Sequence, residues 1–162
     1  MSELVERLKH EHAGIIDVLL RVKFLDIRSE DGQEILLQSK DLILSHLREE
    51  DDELYPFLRM KSENDKDLRI NLDYFQEDME RVTKAALQFY SRYSEESLKK
   101  TVPGKRIRGL FAKKTPENKT QEHFAQDFER LYRILVDRIH QEENVLYTAY
   151  EKLILAHNRD SS

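Results

Sequence analysis

Four stretches of this chain carry an apolar stripe at helical spacing, and ionisable residues break each stripe near its middle. The periodicity predicts helices over about 2–27, 32–61, 66–97 and 117–158. The first stripe reads Leu4, Leu8, His12, Ile15/Ile16, Leu19, and the second Ile35, Leu42, His46, Glu50, Leu54, Phe57. The third reads Phe75, Asp78, Val82, Phe89, and the fourth Leu131, Leu135, Arg138, Glu142, Leu146, Leu153. Ser2 is a cap candidate for the first helix, with Glu3 and Glu6 at its positive end. Gly32 is expected in the first connection, and Ser62–Asp65 forms a polar break. Thr115 and Pro116 read as the start of the last helix. Long helices with mostly short links imply an all-α fold, an antiparallel up-down-up-down four-helix bundle. The 162 residues suit one domain, with a basic insertion at about 98–116.

Burying one unpaired charge is so costly that such groups neutralise or find partners. Four helices that each insert one at similar depth are expected to bring them together. A shared cation is one solution: His46 and Glu50, one turn apart, can converge on an ion, and His12 can supply a third ligand. A closed polar network without metal is the other. A single His or Glu on an apolar stripe is ordinarily a satisfied core group, so the weight rests on the combination.

Composition narrows the chemistry. There is no cysteine, so disulfides and thiolate sites are excluded and any metal must be held by His and carboxylate. No apolar run is long enough to span a membrane, and the first residues lack a signal-peptide core, so a cytoplasmic protein is expected. A net charge of -5 argues against nucleic acid as the main partner. No phosphate loop, nucleophile elbow or thiol pair is present. Nothing in the sequence defines a substrate pocket either, so an enzyme is the last-ranked reading, with no residue assigned to catalysis.

The second and fourth helices repeat each other at an offset of 92 residues. Glu50 maps to Glu142, Leu54 to Leu146, and Tyr55 to Tyr147, but His46 maps to Arg138. One copy keeps a metal-ligand pair, while the other has a permanent cation in the His position.

Three motifs now stand in order: Lys9-His10-Glu11-His12; His46-x-x-x-Glu50 followed by Leu54-Tyr55-Pro56; and Glu142-Glu143 followed by Leu146-Tyr147. In that order they resemble the hemerythrin-like family, also called the HHE cation-binding domain. The resemblance covers most of the chain outside the 98–116 insertion. It implies a bundle that holds a non-haem di-iron centre, the iron pair bridged by carboxylates, in proteins that bind dioxygen, sense oxygen or redox state, or handle nitric oxide and iron. His12, His46 and Glu50 match ligand positions of that pattern, and Glu142 matches the second carboxylate. Asp78 and Arg138 stand where histidines are expected. An ion pair of Arg138 with Glu142 and Asp78 is then expected in place of the second metal subsite. This leaves a mononuclear site of His12, His46 and Glu50, completed by Glu142, Asp78 or water. Iron is the expected metal; zinc or manganese could use the same donors.

Other residues carry weaker expectations. His10 reads as a solvated residue and His140 as a surface or inter-helix residue, and His123 lies too far along its helix to join the layer. Tyr55 and Tyr147 read as core residues with hydroxyl partners. Of the acidic run Glu49–Glu53, only Glu50 is expected inside. Lys99 to Lys114 holds seven basic residues and no acid, with Ile107, Leu110 and Phe111 between them. Such a segment can fold back on the acidic body, or dock an acidic protein partner or a phosphate-bearing ligand, and its apolar side suits a contact. The competing function is therefore a metal-free interaction regulator, similar to small bacterial regulators that bind sigma factors through a related bundle. Dioxygen or another small diatomic is the expected ligand of the metal-binding form.

Overall fold

The computed structural model describes residues 1–100 and 116–160. The described residues are helical, with no strand among them. Helix α1 spans Glu3–Val22, and its cap is as expected: the Ser2 side chain accepts from the backbone N–H of Val5. The Ser2 hydroxyl and backbone N–H also donate to Glu151, 2.7 and 2.6 Å away, so the chain start is tied to the last helix.

Helix α1 ends five residues earlier than its periodicity predicts, and α2 (Glu30–Glu49) begins earlier than predicted. The reason is Ser29, whose hydroxyl caps α2 by accepting from the N–H of Gly32. Gly32 therefore lies in the first turn of α2, not in the connection. Its lack of a side chain is used there: a Cβ would come within 2.0 Å of the Asp26 carbonyl oxygen.

The second predicted helix continues as one rod with a fault in it. A π-helical turn spans Glu50–Leu54, and α3 (Tyr55–Lys61) follows. A short 3-10 turn at Ser62–Asn64 makes the predicted polar break. Helix α4 runs Lys66–Arg92, capped by Asp65 through the Leu68 N–H at 2.9 Å. It stops before its predicted end, and α5 (Glu95–Lys100) is separate. Helix α6 (Pro116–Gln141), a second π turn at Glu142–Leu146 and α7 (Tyr147–Asp160) make up the fourth rod. The Thr115 cap and residues 101–115 of the basic segment lie outside the described residues.

The two π turns fall at the same register of the 92-residue repeat. In an α-helix, residues five apart point about 140° away from each other. Widening the turn by one residue brings the Glu and the Tyr onto the same side. Glu50, Leu54 and Tyr55 are all buried, as are Glu142, Leu146 and Tyr147.

Helix α1 packs on α2 and α6, and α4 packs on α2 and α6, so the four long helices share one core. Leu4, Leu8, Ile15 and Leu19 are buried as the stripe predicts. In α2 the stripe is rotated: Leu36, Ser39 and Ile43 are buried, while Leu42 is exposed. The Ser39 hydroxyl is satisfied there by the Leu36 carbonyl and the Tyr90 hydroxyl. In α4 the core takes Phe75, Met79 and Val82, and Asp78 sits at the margin. One end of the core is aromatic, with Phe89, Phe124 and Phe128 in mutual ring contact and Tyr93 against Phe89 and Phe124.

Candidate metal centre

Four of the predicted ligand residues meet in the core. One donor atom from each of His12, His46, Glu50 and Glu142 lies within 4.8 Å of the other three. All four side chains are buried, and Glu50 has no exposed surface. They come from α1, the end of α2 and the starts of the two π turns. The imidazoles of His12 and His46 lie with ring centres 4.5 Å apart.

Each histidine is held from behind. His12 Nδ1 is 2.8 Å from Glu143 Oε1, and His46 Nδ1 is 2.8 Å from Glu11 Oε2. A carboxylate accepts, so each Nδ1 carries the proton and each Nε2 turns a lone pair to the cluster. This is the usual support of a metal-binding imidazole. Sequence reasoning singled out neither Glu11 nor Glu143 for this role. Their signal was adjacency, since each is next in sequence to a predicted ligand. Burial and the neighbouring Glu49 push the Glu11 carboxyl up to about 7.

Burial and the nearby His12 ring push the His46 imidazole down to about 4, so it is neutral at physiological pH. The two carboxylates differ. Burial and the adjacent Glu142 hold Glu50 well above the usual carboxylate range. Burial also opposes ionisation of Glu142, but the contact with the His12 ring, whose Nε2 lies 3.3 Å from Glu142 Oε2, and the charge of Arg138 outweigh it, and Glu142 stays low.

Arg138 fills the position that the repeat assigns to a second histidine. It is 3% exposed and all three of its guanidinium nitrogens are engaged. Nε donates to Glu142 Oε1, Nη2 to the Tyr55 hydroxyl at 2.9 Å, and Nη1 to both the Phe75 carbonyl at 2.8 Å and Asp78 Oδ2 at 3.1 Å. The Phe75 ring lies against its carbon centre, 5.1 Å away. The predicted ion pair with Glu142 and Asp78 is therefore present. Asp78 is not brought to the cluster: its other oxygen accepts from Arg81, which also keeps it ionised.

Two buried polar atoms at the cluster lack hydrogen-bond partners: His46 Nε2 and Glu50 Oε2. The nearest Glu50 oxygen is 3.8 Å from His46 Nε2, too far for a hydrogen bond. A closed polar network would pair such atoms, because orphaned buried groups are expensive. A cation satisfies both at once. Two imidazoles and two carboxyl groups are also a donor set that divalent first-row metals accept. The residues therefore fit a metal ion.

The remaining residues lie as expected. His10, His123 and His140 are exposed, and so are Asp51, Asp52 and Glu53 beside the buried Glu50. No helix among the described residues is long and apolar enough to cross a membrane. A comparison with known families matches residues 3–150 to the hemerythrin HHE cation binding domain. No curated protein and no solved structure matches the chain.

Proposed function

We propose, from the premise that this chain belongs to the hemerythrin HHE cation-binding domain family, that it binds a single non-haem iron ion and acts in sensing or handling oxygen, redox state or iron. His12, His46, Glu50 and Glu142 would hold the ion. The four long helices would run up-down-up-down as an antiparallel bundle, with the site at mid-height. A bound ferrous ion would supply a redox-active centre able to take a small ligand such as dioxygen.

One observation carries this reading: four buried donors converge, and two of their atoms have no partner. Arg138 explains why one ion is favoured over two. A guanidinium offers no lone pair to a metal, and it already claims Oε1 of Glu142. Zinc or manganese would use the same donors, so identity has to be measured. The unpartnered His46 and Glu50 atoms count against the metal-free regulator, which would need a closed network here.

Metal analysis of protein expressed with added iron tests the reading. About one ion per chain is expected. A sub-stoichiometric content that added ferrous iron does not raise would overturn it, and two ions per chain would overturn the single-ion claim.

A further inference from the structure

The two buried tyrosines of the repeat are crossed over. Tyr55, from the first copy, accepts from Arg138 of the second. Tyr147, from the second copy, donates to Glu50 Oε1 of the first at 2.8 Å. Its hydroxyl is also 3.2 Å from His12 Nε2, and its ring stacks on the His12 ring at a centre distance of 5.4 Å. Both rings are buried, so water does not compete for these contacts.

The donors available to the two carboxylates are unequal. Glu142 has the Arg138 guanidinium beside it. Glu50 has no cationic donor within hydrogen-bond reach, and the Tyr147 hydroxyl is its one side-chain donor among the described residues. That hydroxyl has a single proton and two acceptors, Glu50 Oε1 and His12 Nε2. His12 Nδ1 already carries the imidazole proton to Glu143, so Nε2 is an acceptor. A cation on His12 Nε2 would use its lone pair and leave Glu50 as the one acceptor.

We propose that Tyr147 is a positioning residue for the cation: its hydroxyl proton commits to Glu50 when the ion occupies His12, and so fixes the Glu50 carboxylate as a ligand. This rests on the cation-binding reading above. Hydrogen bonds that orient metal ligands are typically worth about 10- to 100-fold in affinity. Tyr55, which serves Arg138, has no such role.

Cobalt(II) is the probe, because it reports both affinity and the protons close to the ion. Proton NMR of the cobalt-loaded wild-type chain should show four solvent-exchangeable, strongly shifted signals: the Nδ1 protons of His12 and His46, the Arg138 Nε proton on Glu142 and the Tyr147 hydroxyl. Tyr147→Phe should bind cobalt about 10- to 100-fold more weakly and show three. Tyr55→Phe should keep all four. Equal affinity and an equal signal count in Tyr147→Phe would overturn the inference while leaving cation binding intact. If Tyr147→Phe does not fold, the wild-type spectrum decides: four signals support the role, and three refute it. Wild-type protein that takes up no cobalt would overturn the cation-binding reading and this inference with it.

Discussion

The first copy of the repeat places His46 and Glu50 at the core; the second places Arg138 and Glu142 at the same register. Backbone and burial are alike in the two, down to the π turn that follows each pair. Their hydrogen bonding is not. Arg138 has four partners, whereas His46 Nε2 and Glu50 Oε2 have none. One residue change separates a self-satisfied half from an open one. A buried ion pair satisfies its own groups at the cost of desolvation, while an open pair of donors keeps its capacity for something else. Stability should therefore rest mainly on the Arg138 half and cation binding mainly on the His46 half, with Glu142 serving both.

The sharpest way to break this comparison is to remove one member from each half. His46→Ala should abolish cation binding and still give a cooperative thermal transition. Its stability should fall by no more than about 2 kcal/mol, since the residue lost was only partly satisfied. Arg138→Ala leaves Glu142 and Asp78 without their shared cation, and should cost about 3–5 kcal/mol. For a chain of this size that lowers Tm by roughly 6–20 °C. If calorimetry gave the two variants the same melting temperature, the division of labour would be lost.

A smaller effect tests the support behind the histidines. Glu11→Gln and Glu143→Gln should each weaken cobalt or zinc binding by about 10- to 100-fold. Tm should barely move, because both groups are partly exposed. Titration of the ion into both variants checks this, and unchanged affinity would show that the Nδ1 contacts do not orient the rings.

The smallest effect belongs to an ion pair far from both halves. Asp127 accepts from Arg92 at 2.5 Å and from the Tyr93 hydroxyl at 2.7 Å. Burial pushes its carboxyl up, but these two hydrogen bonds outweigh it and hold the group below the ordinary value of 3.8. The stabilisation is therefore present above about pH 4 and fades as pH falls through the lower folded value. Asp127→Asn should melt below wild type at pH 7 by an amount equivalent to about 0.5–1 kcal/mol, and the gap should close in acid. A gap that persisted at low pH would show that the contact is not electrostatic.

The helical class and the inner residues of α1 and α6 were legible because a 3.6-residue period survives in the text of the sequence. The stripe of α2 was misread at Leu42, since Leu36, Leu37, Leu42, Ile43 and Leu44 offer more than one apolar face. The start of α2 was misplaced because Gly32 looks like a turn residue. Its role is steric, against a carbonyl six residues earlier in the chain. The predicted ligands His12, His46, Glu50 and Glu142 meet because each interrupts an apolar stripe. Asp78 had the same signature, and only packing showed that Arg138 and Arg81 hold it at the margin. Glu11 and Glu143 escaped notice because they lie off the stripes and act across helices.

The sequence alone determined that His12, His46, Glu50, Arg138 and Glu142 interrupt apolar stripes, and that one repeat carries a histidine and the other a guanidinium. Those are properties of side-chain chemistry and spacing, and they hold before any helix meets another. Tertiary structure decided how the groups pair. The π turns bring each Tyr to the side of its Glu, so that Tyr147 reaches Glu50 across 97 positions and Arg138 reaches Tyr55 across 83. Hydrogen bonds are short and directional, so their pairing depends on helix register and facing to within a fraction of an ångström. A linear pattern does not carry that information.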